Sequence, residues 1–423
     1  MSAQYICCTT QRHAGEWDAG TLIQGSLPAD GKALLARYGE QVQMIYIDPP
    51  FNTGKRFDMK VRVGEKGYKT GSPSLSLSAY DDRWESRESY LAMMREALVL
   101  ARGLLKKEGT IFLHIDSRMY AHLRLLMDEI FGESNFLNEI IWSYQTGGRA
   151  RNYFPRKHDI ILFYARSRQY YFNLKGVPIA RSEARSNHMK RSVDENGRGY
   201  GSIVSAGKEY RYYDDEPAYP GYVWDDISHL QQKDPVQRTG YETQKPLKLL
   251  ERIISCSTQE GDLVCDLCAG SGTTAVAAAN LNRRFVCMDQ SALAVNIAGK
   301  RLAQAPKGKE PAYGYAVEAP CGADDCVVEA EVMPAISSYT VRLISFECEA
   351  AKEAGITGLD AVDQWSAGFV NGDVFRSWVV SSRSVSSPKL ETMIEMPVLA
   401  GEPCIMIVDV WGNRRFYLPK RRY

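Results

Sequence analysis

The sequence predicts a doubly wound, mostly parallel α/β sheet of Rossmann-like type, and three observations predict it. Apolar runs of strand length recur at residues 44–47, 110–116, 160–164, 263–265 and 284–288. Segments of helical spacing alternate with them, as at Leu91, Met94, Leu98, Ala101 and Leu105. Two of the runs end in turns of unusual chemistry, Asp-Pro-Pro at 48–50 and a glycine turn at 266–274. In an open sheet of this class, ligands bind where the parallel strands end.

Residues 1–20 carry little pattern. Residues 21–25 read as a short strand and turn, followed by a helix over 31–38 and a buried strand over 44–47. Asp48, Pro49, Pro50 and Phe51 stand directly after that strand, with Asn52-Thr53-Gly54 behind them. Two adjacent prolines have fixed φ and no N–H, and they restrict the residue before them, so the turn is stiff. Asp48 adds an ionised acceptor and Phe51 a flat apolar platform. Together they form a rigid cup for an amino group on a planar ring, as on a nucleobase. The bland alternative is an ordinary turn closing a strand.

Residues 55–85 are rich in glycine, serine and charge and show no strong period. They read as a long functional loop able to close over substrate. A helix over 91–105 follows, with Gly109 as its cap, then the strand 110–116. His114 and Asp116 flank the end of that strand, which is their expected role rather than catalysis. A helix over 119–131 stops at Gly132, and strands follow at 138–142 and 160–164.

The character changes after residue 145. Between 145 and 213 there are fourteen Lys/Arg against five acids, a local +9 in a chain of net +1. Tyr153, Phe154, Tyr170, Tyr171, Tyr200, Tyr210, Tyr212 and Tyr213 are interleaved with them. Cations supply phosphate contacts, and rings and Arg forks stack on or read bases. A solvated basic surface is the plain alternative.

Lys245 and Pro246 lie at the start of a helix, with Pro246 suited to its first turn. The strand 263–265 then leads into Asp266, Ala269, Gly270, Ser271, Gly272, Thr273 and Thr274, a helix begins at 275, and the strand 284–288 ends at Asp289. Glycines let a backbone approach a nucleoside, and an acid about twenty positions on accepts from ribose hydroxyls. Taken alone this pattern fits a nicotinamide cofactor equally well.

The two motifs together resemble one family. Ile-Asp-Pro-Pro-Phe-Asn-Thr-Gly (47–54) is similar to the catalytic motif of β-group amino-methyltransferases of DNA, including type III restriction-modification Mod subunits and related type II enzymes. Thr-Gln-Lys-Pro (243–246), a helix and Asp-x-x-Ala-Gly-Ser-Gly-Thr-Thr (266–274) resemble the S-adenosylmethionine half of the same group. The resemblance covers about residues 21–302. It implies a sheet of the seven-stranded methyltransferase type and methyl transfer from S-adenosyl-L-methionine to adenine N6 in double-stranded DNA, the base being flipped out. N4-cytosine transfer, a NAD-dependent oxidoreductase and a DNA-binding module without activity are the alternatives.

By the same resemblance, Asp48, Pro49, Pro50 and Phe51 are catalytic. Gly25, Ser26, Lys245, Pro246, the turn residues 266 and 269–274, and Asp289 hold the cofactor. Ser26 stands where the family commonly has Asp, and Leu267-Cys268 stands where it often has Pro-Phe or Phe-Phe. Asn52, Arg149, Arg151, Tyr153 and Phe154 are assigned to the target base and its DNA. The implied layout is an N-terminal segment (1–20), a catalytic half (21–166), a target-recognition region (167–242) and a cofactor half (243–304). A linker (305–320) and an α+β or β-rich C-terminal domain (321–423) follow. A restriction endonuclease subunit and a second copy of the chain are the implied partners.

The remaining features bound the reading. Ten cysteines in 423 residues do not make a disulfide scaffold, and Cys265-x-x-Cys268 lies in a strand and a glycine turn, so no metal is expected. No charged segment followed by a long apolar run opens the sequence, and no stretch approaches a membrane span, so a cytoplasmic protein is expected.

Overall fold

A computed structural model of the chain describes residues 3–13, 15, 17–144, 150–179, 189–230, 239–241, 243–304 and 313–421. The first strands are β1 (Gln4–Ile6), β2 (Thr10–His13) and β3 (Trp17–Gln24), followed by α1 (Leu27–Tyr38) and β4 (Val42–Ile47). The hairpin strands β5 (Arg56–Arg62) and β6 (Ser74–Asp81) flank α2 (Gly64–Thr70). Then come α3 (Arg87–Leu104), β7 (Leu105–Ile115), α4 (Tyr120–Phe131), β8 (Phe136–Ser143) and β9 (His158–Ala165). β10 (Lys190–Val193), β11 (Gly199–Ser205) and β12 (Lys208–Tyr213) make a small antiparallel sheet, and β13 (Val223–Trp224) rejoins the large one.

The second half supplies α5 (Leu247–Ser257), β14 (Leu263–Asp266), α6 (Thr273–Asn280), β15 (Arg284–Asp289) and α7 (Ala292–Ala303). The C-terminal part holds β16 (Tyr313–Glu318), β17 (Cys326–Pro334), β18 (Ser338–Cys348), the short α8 (Glu349–Glu353), β19 (Val362–Asn371) and β20 (Val374–Ser382). It ends with β21 (Met393–Pro397), β22 (Glu402–Asp409), β23 (Arg414–Leu418) and β24 (Lys420–Arg421).

The centre of the large sheet runs β16-β3-β15-β14-β4-β7 with every neighbouring pair parallel. It is wound on both faces. On β4, Ile45 and Ile47 pack with Leu34 of α1, Met94 of α3 and Leu123 of α4, while Met44 and Tyr46 pack with Leu250 of α5, Ala275 of α6 and Ala298 of α7. Burial on both sides explains why the central strands read as unbroken apolar runs rather than alternating ones. β14 lies between β15 and β4, with Asp266 in register with Cys287 on one side and Tyr46 on the other. The ends of the two motif-bearing strands are therefore direct neighbours, although about two hundred residues separate them in sequence.

Several expectations need correction. Residues 55–85 are not a structureless loop: β5 and β6 pair antiparallel from Arg56 opposite Asp81 to Arg62 opposite Ser74. Met59, Val61 and Ala79 turn inward and bury against Tyr241, Leu293, Ala294 and Val410. Gly109 caps no helix, because α3 ends at Leu104 and the chain enters β7 directly. In the C-terminal part, one 3-10 turn (Gly358–Ala361) leads into β19.

The ends of the chain also differ from the expected layout. β1 pairs with β23, and β2 lies between β16 and β20, so N-terminal strands complete the C-terminal part. β16 falls inside the expected linker yet pairs with β3 and β2, continuing the sheet of the first three hundred residues into the C-terminal strands. A four-stranded sheet, β21-β18-β17-β24, packs beside them around Trp365, Val341, Phe346 and Ile407. No helix among the described residues is long and apolar enough to cross a membrane.

Candidate active site

A cleft of about 650 Å³ opens where β3, β15, β14 and β4 end. Asp48, Pro49, Pro50 and Phe51 form one wall, and Gly25, Ser26, Asp266, Ala269, Gly270, Ser271, Thr273, Thr274 and Asp289 line another. Lys245 lies between the two groups. All of these were sequence-predicted. Gly272 and Pro246 of the predicted cofactor set do not line the cleft, nor does Asn52, which was assigned to the target base.

The Asp48 turn is held from behind. Asp82, fully buried at the end of the hairpin, accepts from the amides of Asn52 and Thr53 (2.9 Å each) and from the Thr53 hydroxyl (2.7 Å). Trp84 donates its indole N–H to the same carboxylate (3.2 Å). The Gly54 amide donates to the Asp82 carbonyl at 3.1 Å, tying the hairpin base to the turn. These bonds support Asn52 at φ 55°, a left-handed value that Asn tolerates better than most residues.

Asp48 itself is only partly satisfied. Its Oδ2 accepts from the Lys245 ammonium at 2.5 Å, while Oδ1 is buried with no hydrogen-bond partner among the described residues. An unpartnered buried carboxylate oxygen is costly. Lys245, assigned to the cofactor in sequence, reaches the Asp48 carboxylate from within the same cleft, and it also lies over the Phe51 ring, 5.4 Å from its centroid.

Behind Phe51 lies a buried polar chain. The Phe51 ring stacks on His114 at 6.1 Å and 28°. The Tyr46 hydroxyl lies 2.7 Å from His114 Nδ1, and His114 Nε2 lies 3.1 Å from Asp159 Oδ2, so the three side chains form one hydrogen-bonded row. Burial pushes the Asp159 carboxyl up, but the His114 bond and the nearby His114 and Lys245 charges outweigh it and hold the group below its ordinary value. His114 thus supports the Phe51 platform from below.

The cofactor-type turn is built differently. Asp266 accepts from the Cys268 amide (2.9 Å) and the Thr274 hydroxyl (2.5 Å), so both its oxygens serve the turn. Asp289 accepts from the amides of Gly270 and Ser291, each at 2.8 Å. Burial raises both acids, Asp266 to about 7 with help from the Asp48 and Asp289 charges and against its two hydrogen bonds. Gly270 and Gly272 have φ of 49° and 75°. A Cβ on Gly272 would stand 2.4 Å from the Ala298 Cβ, so only glycine lets α6 and α7 approach here.

Ser26 reaches no acid across the cleft; its amide donates to Asp30 at 2.8 Å, and the Gly25 amide donates to the Asp289 carbonyl at 3.0 Å. Burial pushes the Cys265 and Cys268 thiols well up, so both stay protonated, away from thiolate chemistry.

Among the cleft residues that sequence reasoning missed are Asp82 and the aromatic side chains Phe57, Tyr80, Trp84 and Tyr241. Phe57 stacks on Tyr80 (4.8 Å, 17°) and Tyr80 on Tyr241 (6.4 Å, 22°), and a Cβ on Gly270 would lie 3.3 Å from Tyr241. Alternation at 57, 59 and 61 was the available signal.

The expected DNA contacts are less well gathered. Arg151, Tyr153 and Phe154 are exposed before β9 and do not line the cleft; Arg149 lies outside the described residues. The local +9 also overstates the basic surface. Arg191 pairs with Asp214 and Arg198 with Asp215, acids just beyond the window, and Arg211 pairs with Glu209. With the acids at 214–216, 225 and 226 included, residues 145–226 carry +4.

With this geometry in hand, comparison with known proteins is informative. A profile of the DNA methylase family, covering N6 and N4 enzymes, matches residues 42–300. The type II methyltransferase M.EcaI of Enterobacter cloacae is 28% identical over 342 residues, covering 69% of this chain and 70% of the relative. The EcoP15I Mod subunit of a type III restriction-modification enzyme of Escherichia coli is 26% identical, covering 55% of this chain but only 41% of its own. The DNA adenine methyltransferase YhdJ of Escherichia coli strain K12 is 25% identical, covering 70% of this chain and 86% of the relative.

Proposed function

This chain belongs to the DNA methylase family whose profile matches residues 42–300, and on that premise we propose that it methylates adenine N6 in double-stranded DNA, using S-adenosyl-L-methionine and a base turned out of the helix. The observation that carries the proposal is Asp48 Oδ1, a buried carboxylate oxygen without a partner at the wall of the cleft.

The residues present fit the cofactor. The glycine turn brings backbone to the cleft edge, Asp289 stands at the end of the next strand, and Gly270 opens a space bounded by Tyr241. Asp289, Gly270, Ser271 and Gly25 are proposed to hold it. When bound, S-adenosyl-L-methionine supplies a methyl group on a cationic sulfur, an electrophile for a weak nitrogen nucleophile.

The chain's own residues make that nitrogen competent. The adenine amino lone pair is delocalised into its ring. Hydrogen bonds from the two amino hydrogens to Asp48 Oδ1 and the Pro49 carbonyl favour a tetrahedral nitrogen with its lone pair available. Acceptors fixed where positive charge develops are usually the largest catalytic term, and the stiff Pro49-Pro50 backbone needs no reorganisation to present them. Lys245 fixes the carboxylate by its other oxygen. Phe51, backed by His114, offers the face on which a turned-out base stacks. Asp48 does not need to take a proton before methyl transfer, and its unpartnered oxygen lies where the proton leaves afterwards.

Asp at the head of the motif and the adenine specificity in the name of YhdJ support adenine over cytosine. The test is single-molecule sequencing of DNA from a methylation-free host expressing the chain. N6-methyladenine at one recurring sequence is expected. Methylated cytosine instead, or no modified base, contradicts the proposal.

A further inference from the structure

The hairpin β5–β6 is fixed at both ends. Its base is tied to the catalytic turn through Asp82, as described above. Its far end, α2, reaches the C-terminal part of the chain, where Tyr68 donates its hydroxyl to Asp363 Oδ1 at 2.7 Å. Asp363 is the second residue of β19 and is 5% exposed.

Asp363 is shared among three parts of the molecule. Lys300 of α7 donates to both its oxygens at 3.0 Å, and Asn296 of the same helix donates to Oδ2 at 3.0 Å. Lys300 also reaches the Tyr68 oxygen at 3.3 Å and lies 5.5 Å from the centre of its ring. One carboxylate thus joins the hairpin, the last helix of the glycine-turn half and the C-terminal strands. Next to it, α2 starts at Gly64 with φ 63°, and a Cβ there would stand 2.2 Å from an Asp360 oxygen. Only glycine admits so close an approach.

We propose that Asp363 is a positioning residue through which the C-terminal strands set the hairpin, and through the hairpin the Asp48 turn and the aromatic side of the cleft. The C-terminal part is then a support of the active site rather than an appended module. The mechanical path is short: Asp363, Tyr68, the two hairpin strands, Asp82, and the amides of Asn52 and Thr53. The Phe57–Tyr80–Tyr241 stack leaves the same hairpin toward Gly270. A buried carboxylate with both oxygens hydrogen-bonded, as Asp363 is, is the kind of contact that fixes one arrangement.

The test compares Tyr68→Phe with the natural chain by amide hydrogen exchange and thermal unfolding. The substitution removes one hydroxyl from the far end of the hairpin and leaves Asp363 paired with Lys300 and Asn296. The expected result is exchange accelerated about 5–10-fold in residues 56–81 and also at the Asn52, Thr53 and Gly54 amides, with the midpoint of unfolding and exchange in β14 and β15 nearly unchanged. Exchange at the turn amides equal to that of the natural chain overturns the proposal, as does an acceleration spread evenly over the molecule. Asp363→Asn, expected to have the larger effect at the same amides, is the second variant. This arm needs no substrate, so it is independent of the methyl-transfer reading. Where transfer is measured, the same variant should lower kcat several-fold with little change in KM for DNA; a change in neither overturns the proposal.

Discussion

The Asp48 turn and the glycine turn end neighbouring strands of one sheet, and both are built around carboxylates largely withdrawn from solvent, yet they use them in opposite ways. Asp266 and Asp289 use both oxygens on amides and a hydroxyl of their own turns. Asp48 gives one oxygen to Lys245 and keeps the other free, while a different acid, Asp82, does the local work of holding its turn. A carboxylate that builds a loop is satisfied by it. A carboxylate meant for a substrate must be positioned by others and left short of one partner. On the proposed reading, the contrast explains why the Asp48 turn uses two acids, the second coming from the base of the hairpin.

The largest break in this contrast is expected at Asp48 itself. Asp48→Ala should lower methyl transfer by roughly 10³-fold, the scale for losing a fixed electrostatic acceptor, while saturation binding of labelled S-adenosyl-L-methionine stays near that of the natural chain. Gly272→Ala attacks the other turn. Its Cβ would clash with Ala298 at 2.4 Å, on a backbone with φ 75°. A loss of about 2–4 kcal/mol in chemical unfolding is expected, from overpacking and strain together, along with weakened cofactor binding.

Lys245→Met sharpens the comparison by leaving Asp48 without its cation. Its Oδ2 then loses the 2.5 Å bond that fixes it, and neither carboxylate oxygen has a hydrogen-bond partner among the described residues. Methyl transfer should fall roughly 10-fold, the lower end for losing a hydrogen bond to a charged group, and transfer equal to that of the natural chain would contradict the positioning role of Lys245.

The smallest effect is one of slope. Burial raises Asp266 to about 7, above its unfolded value, so its protonated form is favoured by folding. Stability should therefore fall as pH rises from the unfolded pKa of about 4 toward 7, by up to roughly 1.4 kcal/mol per unit. Asp266→Asn removes that slope. The difference in unfolding free energy between the natural chain and this variant should be more favourable to the natural chain at pH 5 than at pH 8.

What the sequence made legible follows the same division. Both turns stand after unbroken apolar strands, and their residues are consecutive, so the Asp48 motif and the glycine turn were visible directly. Their adjacency followed from the parallel sheet. The partners that complete the catalytic turn were not visible. Lys245 lies 197 residues from Asp48, and Asp82 is one member of an Asp81-Asp82-Arg83 run in which nothing singles it out. The hairpin was hidden because its apolar positions alternate with Ser, Lys and Asp and one flank is glycine-rich. The N-terminal strands were short and polar, and they acquire their sense only from strands such as β23, about four hundred residues away. The basic excess is smaller than the 145–213 window suggests because counter-charges follow at 214–216, just beyond it.

The central claim is that Asp48 Oδ1 receives the amino group of the target base. Its most direct test is a double-mutant cycle at the methylated site found by sequencing. The binding of duplex DNA with adenine or with purine, which lacks the amino group, would be measured to the natural chain and to Asp48→Ala in the presence of S-adenosyl-L-homocysteine. A coupling of about 1.5–3 kcal/mol, the range for a hydrogen bond to a charged group, is expected. A coupling near zero, with both proteins distinguishing adenine from purine equally, would contradict the claim.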